Sequence, residues 1–274
     1  MVRYWRQRST ETKGLIMGFL GIAGFSLTLP STRIAVSHLD PVFVGLGRSV
    51  VASVFAAGLL LATRQALPSK RQMIGLLWVV GGVIVGFPLL SAWAMRETSS
   101  AHAAVIVAIL PLLTAMYGAL RLGERPSFGF WISALAGSAI VVMFTLSSSG
   151  QLRQADILLF LAAAVGAMGY GEGARLAKAM GGWQVICWAL VFAAPFLSIP
   201  VALAAQAHGI DAPWQDWLGF FYVSLISQFL GFFLWYQGLA MGSVARVSQV
   251  QLLPMASRSS SAISFFSFEG TTSR

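Results

Sequence analysis

Long apolar stretches separated by brief polar turns run along almost the whole chain. A helix needs about 20 apolar residues to cross the hydrocarbon core of a bilayer. The pattern predicts nine such helices, over residues 14–34, 41–62, 73–95, 101–120, 128–147, 157–178, 183–205, 217–238 and 241–256, the last being the weakest. The connections carry turn-forming or charged residues, as in His38 to Pro41, Arg64 to Arg71, Gly123 to Pro126 and Ser147 to Gln154. The loop 206–216 holds Asp211, Pro213 and Asp216. No connection has the length of a separate soluble domain. The expected fold is an all-α polytopic protein embedded in a lipid bilayer.

Composition strengthens this reading. The chain of 274 residues is 57% hydrophobic and 10% charged, whereas soluble domains carry about 25% charged residues. These charges cannot cover a water-facing surface of that size. Most of the 28 glycines fall inside apolar runs, where a missing side chain lets membrane helices approach closely. The net charge of +9 does not imply a nucleic-acid partner. Its cations sit in short clusters between apolar runs and form no stripe that tracks a phosphate backbone. Cys187, the one cysteine, excludes an intramolecular disulfide and reads as a packing residue. The basic start, Met1 to Lys13, precedes an apolar stretch too long for a signal-peptide core, so that stretch is read as the first membrane helix.

The cations also orient the chain. Arg3, Arg6, Arg8, Lys13, Arg64, Lys70, Arg71, Arg121, Arg125, Arg175 and Lys178 make eleven on one side, against three on the other, Arg33, Arg96 and Arg153. By the positive-inside rule the N-terminus is cytoplasmic, and the membrane is the inner (plasma) membrane.

The sequence repeats itself. Ser100 to Pro111 has a counterpart in Ser243 to Pro254, and the offset is the same at both ends (243 − 100 = 143; 254 − 111 = 143). Val107 pairs with Val250, Leu110 with Leu253 and Trp93 with Tyr236, and segment 41–62 falls on 184–205. A repeat of five helices enters the membrane from one side, and its copy enters from the other. Such inverted repeats are a common plan of secondary transporters, because two interchangeable halves can exchange inward-open and outward-open shapes around one site.

Three stretches resemble the EamA family of the drug/metabolite transporter superfamily. One is Leu29-Pro30 to Ala35 with Asp40-Pro41 and Arg48. Another is Ser100 to Pro111, closing in Leu122-Gly123-Glu124-Arg125-Pro126-Ser127, and the third is Ser243 to Pro254. The resemblance covers about residues 14–256 and implies ten helices in two repeats that move small molecules such as amino acids, other metabolites or drugs, with export as the expected direction. The divisions expected are a cytoplasmic segment 1–13, a first repeat 14–150, a second repeat 151–256 and a polar tail 257–274. That tail departs from the family. It is rich in serine, and the counterpart of Glu124 is Ser267 where a glutamate is expected. A frameshifted or truncated reading frame after about Pro254 is the expectation, with a non-functional fragment as the alternative to a working transporter and a membrane-embedded enzyme ranked below both.

Few residues can carry chemistry. Glu172, in Gly169-Tyr170-Gly171-Glu172-Gly173, is a carboxylate at membrane depth, which is costly unless paired, hydrated or protonated. It reads either as a substrate or proton-coupling group, or as the partner of Arg175 three residues on. Arg48, about a third of the way into the second helix, can bind an anionic group or serve as an anchor. Arg246 reads as interfacial. His102 begins the fourth helix as a cap neighbour or a proton relay. Trp93, Tyr170, Gln228, Trp235, Tyr236 and Gln237 are candidates for a cavity wall, although Trp93, Trp235 and Tyr236 near helix ends also suit an interfacial belt. Pro30, Pro88, Pro111, Pro195 and Pro254 are candidate kinks. No histidine pair has metal-ligand spacing, and no phosphate-binding loop or nucleophile elbow occurs, so neither metal, cofactor nor enzymatic activity is expected. Oligomeric state is left open.

Overall fold

The structure, a computed structural model, describes residues 2–149 and 153–252. Among these residues, seven helical stretches are long and apolar enough to cross a membrane: Thr10–Ala35, Pro41–Ala62, Lys70–Glu97, Ser100–Leu122, Gln154–Met180, Gly182–His208 and Trp214–Met241. These are spans one to four and six to eight in the order that the sequence predicts. The fifth predicted span is the helix Phe128–Ser149. Its 22 residues extend about 33 Å at 1.5 Å per residue. The ninth is shorter than predicted in what is described: a helix Val244–Ser248 followed by a 3₁₀ turn, Gln249–Leu252. Pro254 and the tail 257–274 lie outside the described residues.

Several spans are built from pieces. The first comprises α1 (Val2–Phe25) and α2 (Thr28–Ala35), broken at Ser26-Leu27 just ahead of Pro30. The helix thus begins earlier than predicted, since residues expected as a polar leader continue into α1. The second span is α3 (Pro41–Ala62). Asp40 starts it by accepting the amides of Val42 at 2.8 Å and Phe43 at 3.2 Å, with Pro41 in the first turn, where its missing N–H costs nothing.

The third span runs through α4 (Lys70–Val79), a π-helical stretch Val80–Gly86 and α5 (Phe87–Glu97). A π turn frees carbonyls from the regular ladder. Here side chains take them: Ser49 Oγ donates to Ile84 O at 3.1 Å, and Gln228 Nε2 to Val83 O at 3.1 Å. The fourth span is α6 (Ser100–Val107) and α7 (Leu110–Leu122), parted at Ala108-Ile109 ahead of Pro111. Helix α8 (Phe128–Ser149) follows.

The later elements are α9 (Gln154–Met180), α10 (Gly182–His208), α11 (Trp214–Phe221), a second π stretch Tyr222–Leu230, α12 (Gly231–Met241) and α13 (Val244–Ser248). The first π stretch displaced by 143 residues covers 223–229, inside the second. The two halves therefore share an uncommon backbone feature as well as residues. Packing follows the same pairing: α3 lies along α10, α1 along α12, and α9 against α4 and α5. First span against eighth repeats sixth span against third, as a two-fold relation between halves requires.

Glycine allows the closest of these approaches. A Cβ on Gly238 would stand 2.6 Å from the Gly18 nitrogen and 2.8 Å from the Gly14 oxygen. On the equivalent interface, a Cβ on Gly82 would meet Val165 O at 2.5 Å. Backbone thus meets backbone at both crossings, the arrangement small residues permit in membranes.

Candidate functional site

A cavity of about 130 Å³ opens among the first, second, third, fourth, sixth and eighth spans. Both halves supply its wall. Phe25, Thr28, Leu29 and Pro30 come from the broken first span, Arg48 from α3, Val83 from the first π stretch and Phe87 from the start of α5. Ser100, Ala104 and Pro111 come from α6 and α7. Tyr170, Ser227, Phe232 and Gln251 are contributed by the second half. The interrupted first, third, fourth and eighth spans all border the cavity, beside the unbroken α3 and α9. Irregular backbone at membrane depth is tolerated where it is buried in protein or faces such a space.

Arg48 and Gln228 meet in this region. Arg48 Nε donates to Gln228 Oε1 at 2.9 Å, and its Nη2 to the same oxygen at 2.6 Å. Both side chains are buried. Gln228 spends its own donor on Val83 O, so one amide links the second and third spans to the eighth. Thr28 Oγ1 and Ser227 Oγ lie 2.8 Å apart across the first and eighth spans. Tyr170 packs edge-on against Trp235, with ring centres 5.3 Å apart, and against Phe232 at 6.0 Å. Phe25 closes the aromatic wall against Phe232 at 5.0 Å.

The remaining sequence candidates lie elsewhere. Glu172 is buried, but its carboxylate is held outside the cavity wall. Arg175 donates to Oε1 through Nε at 2.9 Å and Nη2 at 2.5 Å, and the Tyr117 hydroxyl donates to Oε2 at 3.2 Å. The carboxylate also lies against Gly75, where an added Cβ would come within 2.8 Å of Oε1. Glu172 therefore joins the third, fourth and sixth spans, the paired arrangement weighed from its spacing to Arg175.

His102 Nε2 lies 2.8 Å from the buried Asp156 Oδ1 and ties the start of α6 to the start of α9. His38 and His208 face Asp216 and Asp40 at 2.7 and 3.6 Å. Tyr236 is buried and donates to Gly169 O at 3.1 Å, with its ring filling the space beside Gly173. It is a packing bridge between the sixth and eighth spans and not part of the cavity wall. Trp93 is 47% exposed on the outside of the bundle and leaves the cavity to others. Trp235 is wholly buried behind Tyr170 instead of sitting at an interface. Arg246 is exposed and pairs with Glu11 at 2.6 Å, in keeping with the interfacial reading.

Sequence reasoning did not find Thr28, Ser227 or Gln251 as cavity residues. A signal existed, since polar side chains inside an apolar span are uncommon and each of these interrupts one. Phe25, Phe87 and Phe232 gave no signal, because apolar residues in apolar helices look alike whichever way they face.

Comparison with known proteins places this architecture. The model of the EamA-like transporter family matches twice, over residues 12–146 and 153–259. "Uncharacterized transporter YdeK" of Bacillus subtilis (strain 168) is 46% identical over 248 residues, covering 88% of this chain and 85% of that protein. "Probable terminal-alkyne amino-acid exporter" of Streptantibioticus cattleyicolor is 27% identical over 236 residues, covering 82% of this chain and 76% of its own length. A solved crystal structure superposes on 89% of this chain and 87% of its own with a TM-score of 0.65, and at 18% identity it speaks for the fold alone. With a family match along most of its length and a relative at 46% identity, the chain belongs to the EamA-like transporter family.

Proposed function

We propose that this chain is a secondary transporter that exports small metabolites, amino acids or drugs across the inner membrane by alternating access. One observation carries the reading: a cavity deep in the bundle, walled by both halves and bordered by broken or π-helical segments of the spans that contribute to it. Two repeats, 14–150 with five spans and 151–256 with spans six to nine, rock about this site, with the N-terminus in the cytoplasm. The exporter named among the relatives supports the direction and the amino-acid class. Among the described residues the cavity wall holds no carboxylate for a coupled proton, and Glu172, the sequence candidate, already holds two donors.

The test is flux in proteoliposomes reconstituted with the purified chain, with and without an imposed pH gradient. Saturable movement of labelled amino acids or lipophilic drugs above protein-free vesicles is the expected result. Stimulation by the gradient identifies proton coupling. No flux of any compound, beside an active relative reconstituted in the same way, overturns the transport reading.

A further inference from the structure

Among the described residues, Arg48 is the one side chain in the cavity wall that carries a formal charge, and no carboxylate neutralises it. It is only 3% exposed. Its hydrogen bonds go to a single uncharged oxygen, Gln228 Oε1. A guanidinium has five N–H donors in a fork, so one carbonyl oxygen leaves most of them without an acceptor. Leaving a buried charge uncompensated is strongly unfavourable.

The repeat shows that the fold does not require this charge. Arg48 corresponds to Val191 (48 + 143 = 191), and Gln228 to Val85 (228 − 143 = 85). Each half packs the equivalent helix with a valine. Gln251 repeats the departure. It lines the same cavity, and its Nε2 is buried with no hydrogen-bond partner among the described residues. Its counterpart is Ala108 (251 − 143 = 108), which also lines the cavity. Three polar side chains therefore break the symmetry between the halves, and two of them, Arg48 and Gln251, line the cavity with N–H groups that the described acceptors do not use up.

We propose that the cavity binds a small organic monocarboxylate. The carboxylate accepts from the free fork of Arg48 with Gln251 as a further donor, and an apolar body lies against Phe25, Phe87, Tyr170 and Phe232. The proposal rests on the transport reading of this same cavity and gives it a substrate class. A single guanidinium neutralises one negative charge. A phosphate monoester would bring a second negative charge into a space whose described wall holds no second cation, and an organic cation would meet a like charge.

The experiment is equilibrium binding to the full chain in lipid nanodiscs. The probes are octanoate and 3-phenylpropanoate, the amides of both acids, and phenyl phosphate. Each acid binds saturably, and its amide binds at least about tenfold more weakly, because charge-assisted hydrogen bonds are lost. Arg48→Gln weakens acid binding by about tenfold or more. Arg48→Lys keeps part of it, having the charge without the fork. Gln251→Leu, which leaves the Arg48–Gln228 pair in place, weakens the acids about threefold or more, and so the proposal stays testable if Arg48→Gln misfolds on size exclusion. Equal binding of acid and amide overturns the proposal, as does undiminished acid binding by a folded Arg48→Gln protein. Phenyl phosphate binding more tightly than the acids also overturns it. The transport reading fails separately. Flux of a neutral or cationic compound with the acids inert removes only the carboxylate, whereas acid binding without any flux removes only transport.

Discussion

Glu124 shows how much one side chain can hold at the end of a membrane helix. It follows Gly123, whose φ of 70° closes α7 in the left-handed conformation that glycine adopts without strain. The carboxylate then reaches the start of α13, accepting from Val244 N at 2.8 Å, Ala245 N at 3.0 Å and Ser243 Oγ at 3.0 Å. A negative group on free N-terminal amides satisfies orphan donors and complements the helix dipole. Glu124→Ala should cost about 1–2 kcal/mol, read as a lower melting temperature in detergent, with Glu124→Gln retaining part of the loss. Glu172 makes the opposite kind of claim. Because it braces three spans and stands outside the cavity, Glu172→Gln should lower the melting temperature while ligand binding to the cavity changes less than about threefold. Intact stability with gradient-driven flux abolished would instead make Glu172 a proton site. The pairing of Glu172 with Arg175 was legible from a spacing of three residues. The hydroxyl of Tyr117, 55 residues away, was not, because only packing brings the fourth span beside the sixth.

Among the elements, the π stretches and helix breaks set the path of the spans around the cavity. Their prolines explain part of this. Pro30 and Pro111 stand just after the breaks in the first and fourth spans, and Pro88 opens α5 after the π turn. Pro195 and Pro200, by contrast, sit inside α10 without interrupting it, so a proline in the sequence marks a weak point but not necessarily a break. Glycine decides how near the unbroken faces come. Gly238→Ala puts a Cβ onto the backbone of α1 and should destabilise the protein by about 1–3 kcal/mol through overpacking. Gly58→Ala, where no atom lies within 4 Å of the added Cβ, should leave the melting temperature unchanged or raise it slightly. Equal effects of the two changes would show that the approach of the first and eighth spans is not tight.

At the scale of the whole molecule, the repeat, the cation bias and the packing all describe a chain threaded back and forth through a bilayer. Its orientation can be read by cysteine labelling in right-side-out and inverted vesicles, with the buried Cys187 replaced by alanine. A cysteine at the exposed Ala66 should react with an impermeant maleimide only in inverted vesicles, and one at the exposed Asp211 only in right-side-out vesicles. The reverse pattern would place the N-terminus outside. By itself the sequence determined the all-α polytopic membrane architecture, its duplication and the rarity of Arg48 and Glu172. Those properties follow from local hydropathy and from a fixed offset along the chain. Which polar groups meet was decided only in three dimensions. Arg48 finds Gln228 180 residues away, Thr28 finds Ser227 199 residues away, and Glu172 turns from the cavity to its braces. The physical reason is that every face of these helices is apolar. Hydropathy cannot say which face looks into protein and which into lipid, whereas close packing and the need of each buried donor for an acceptor can.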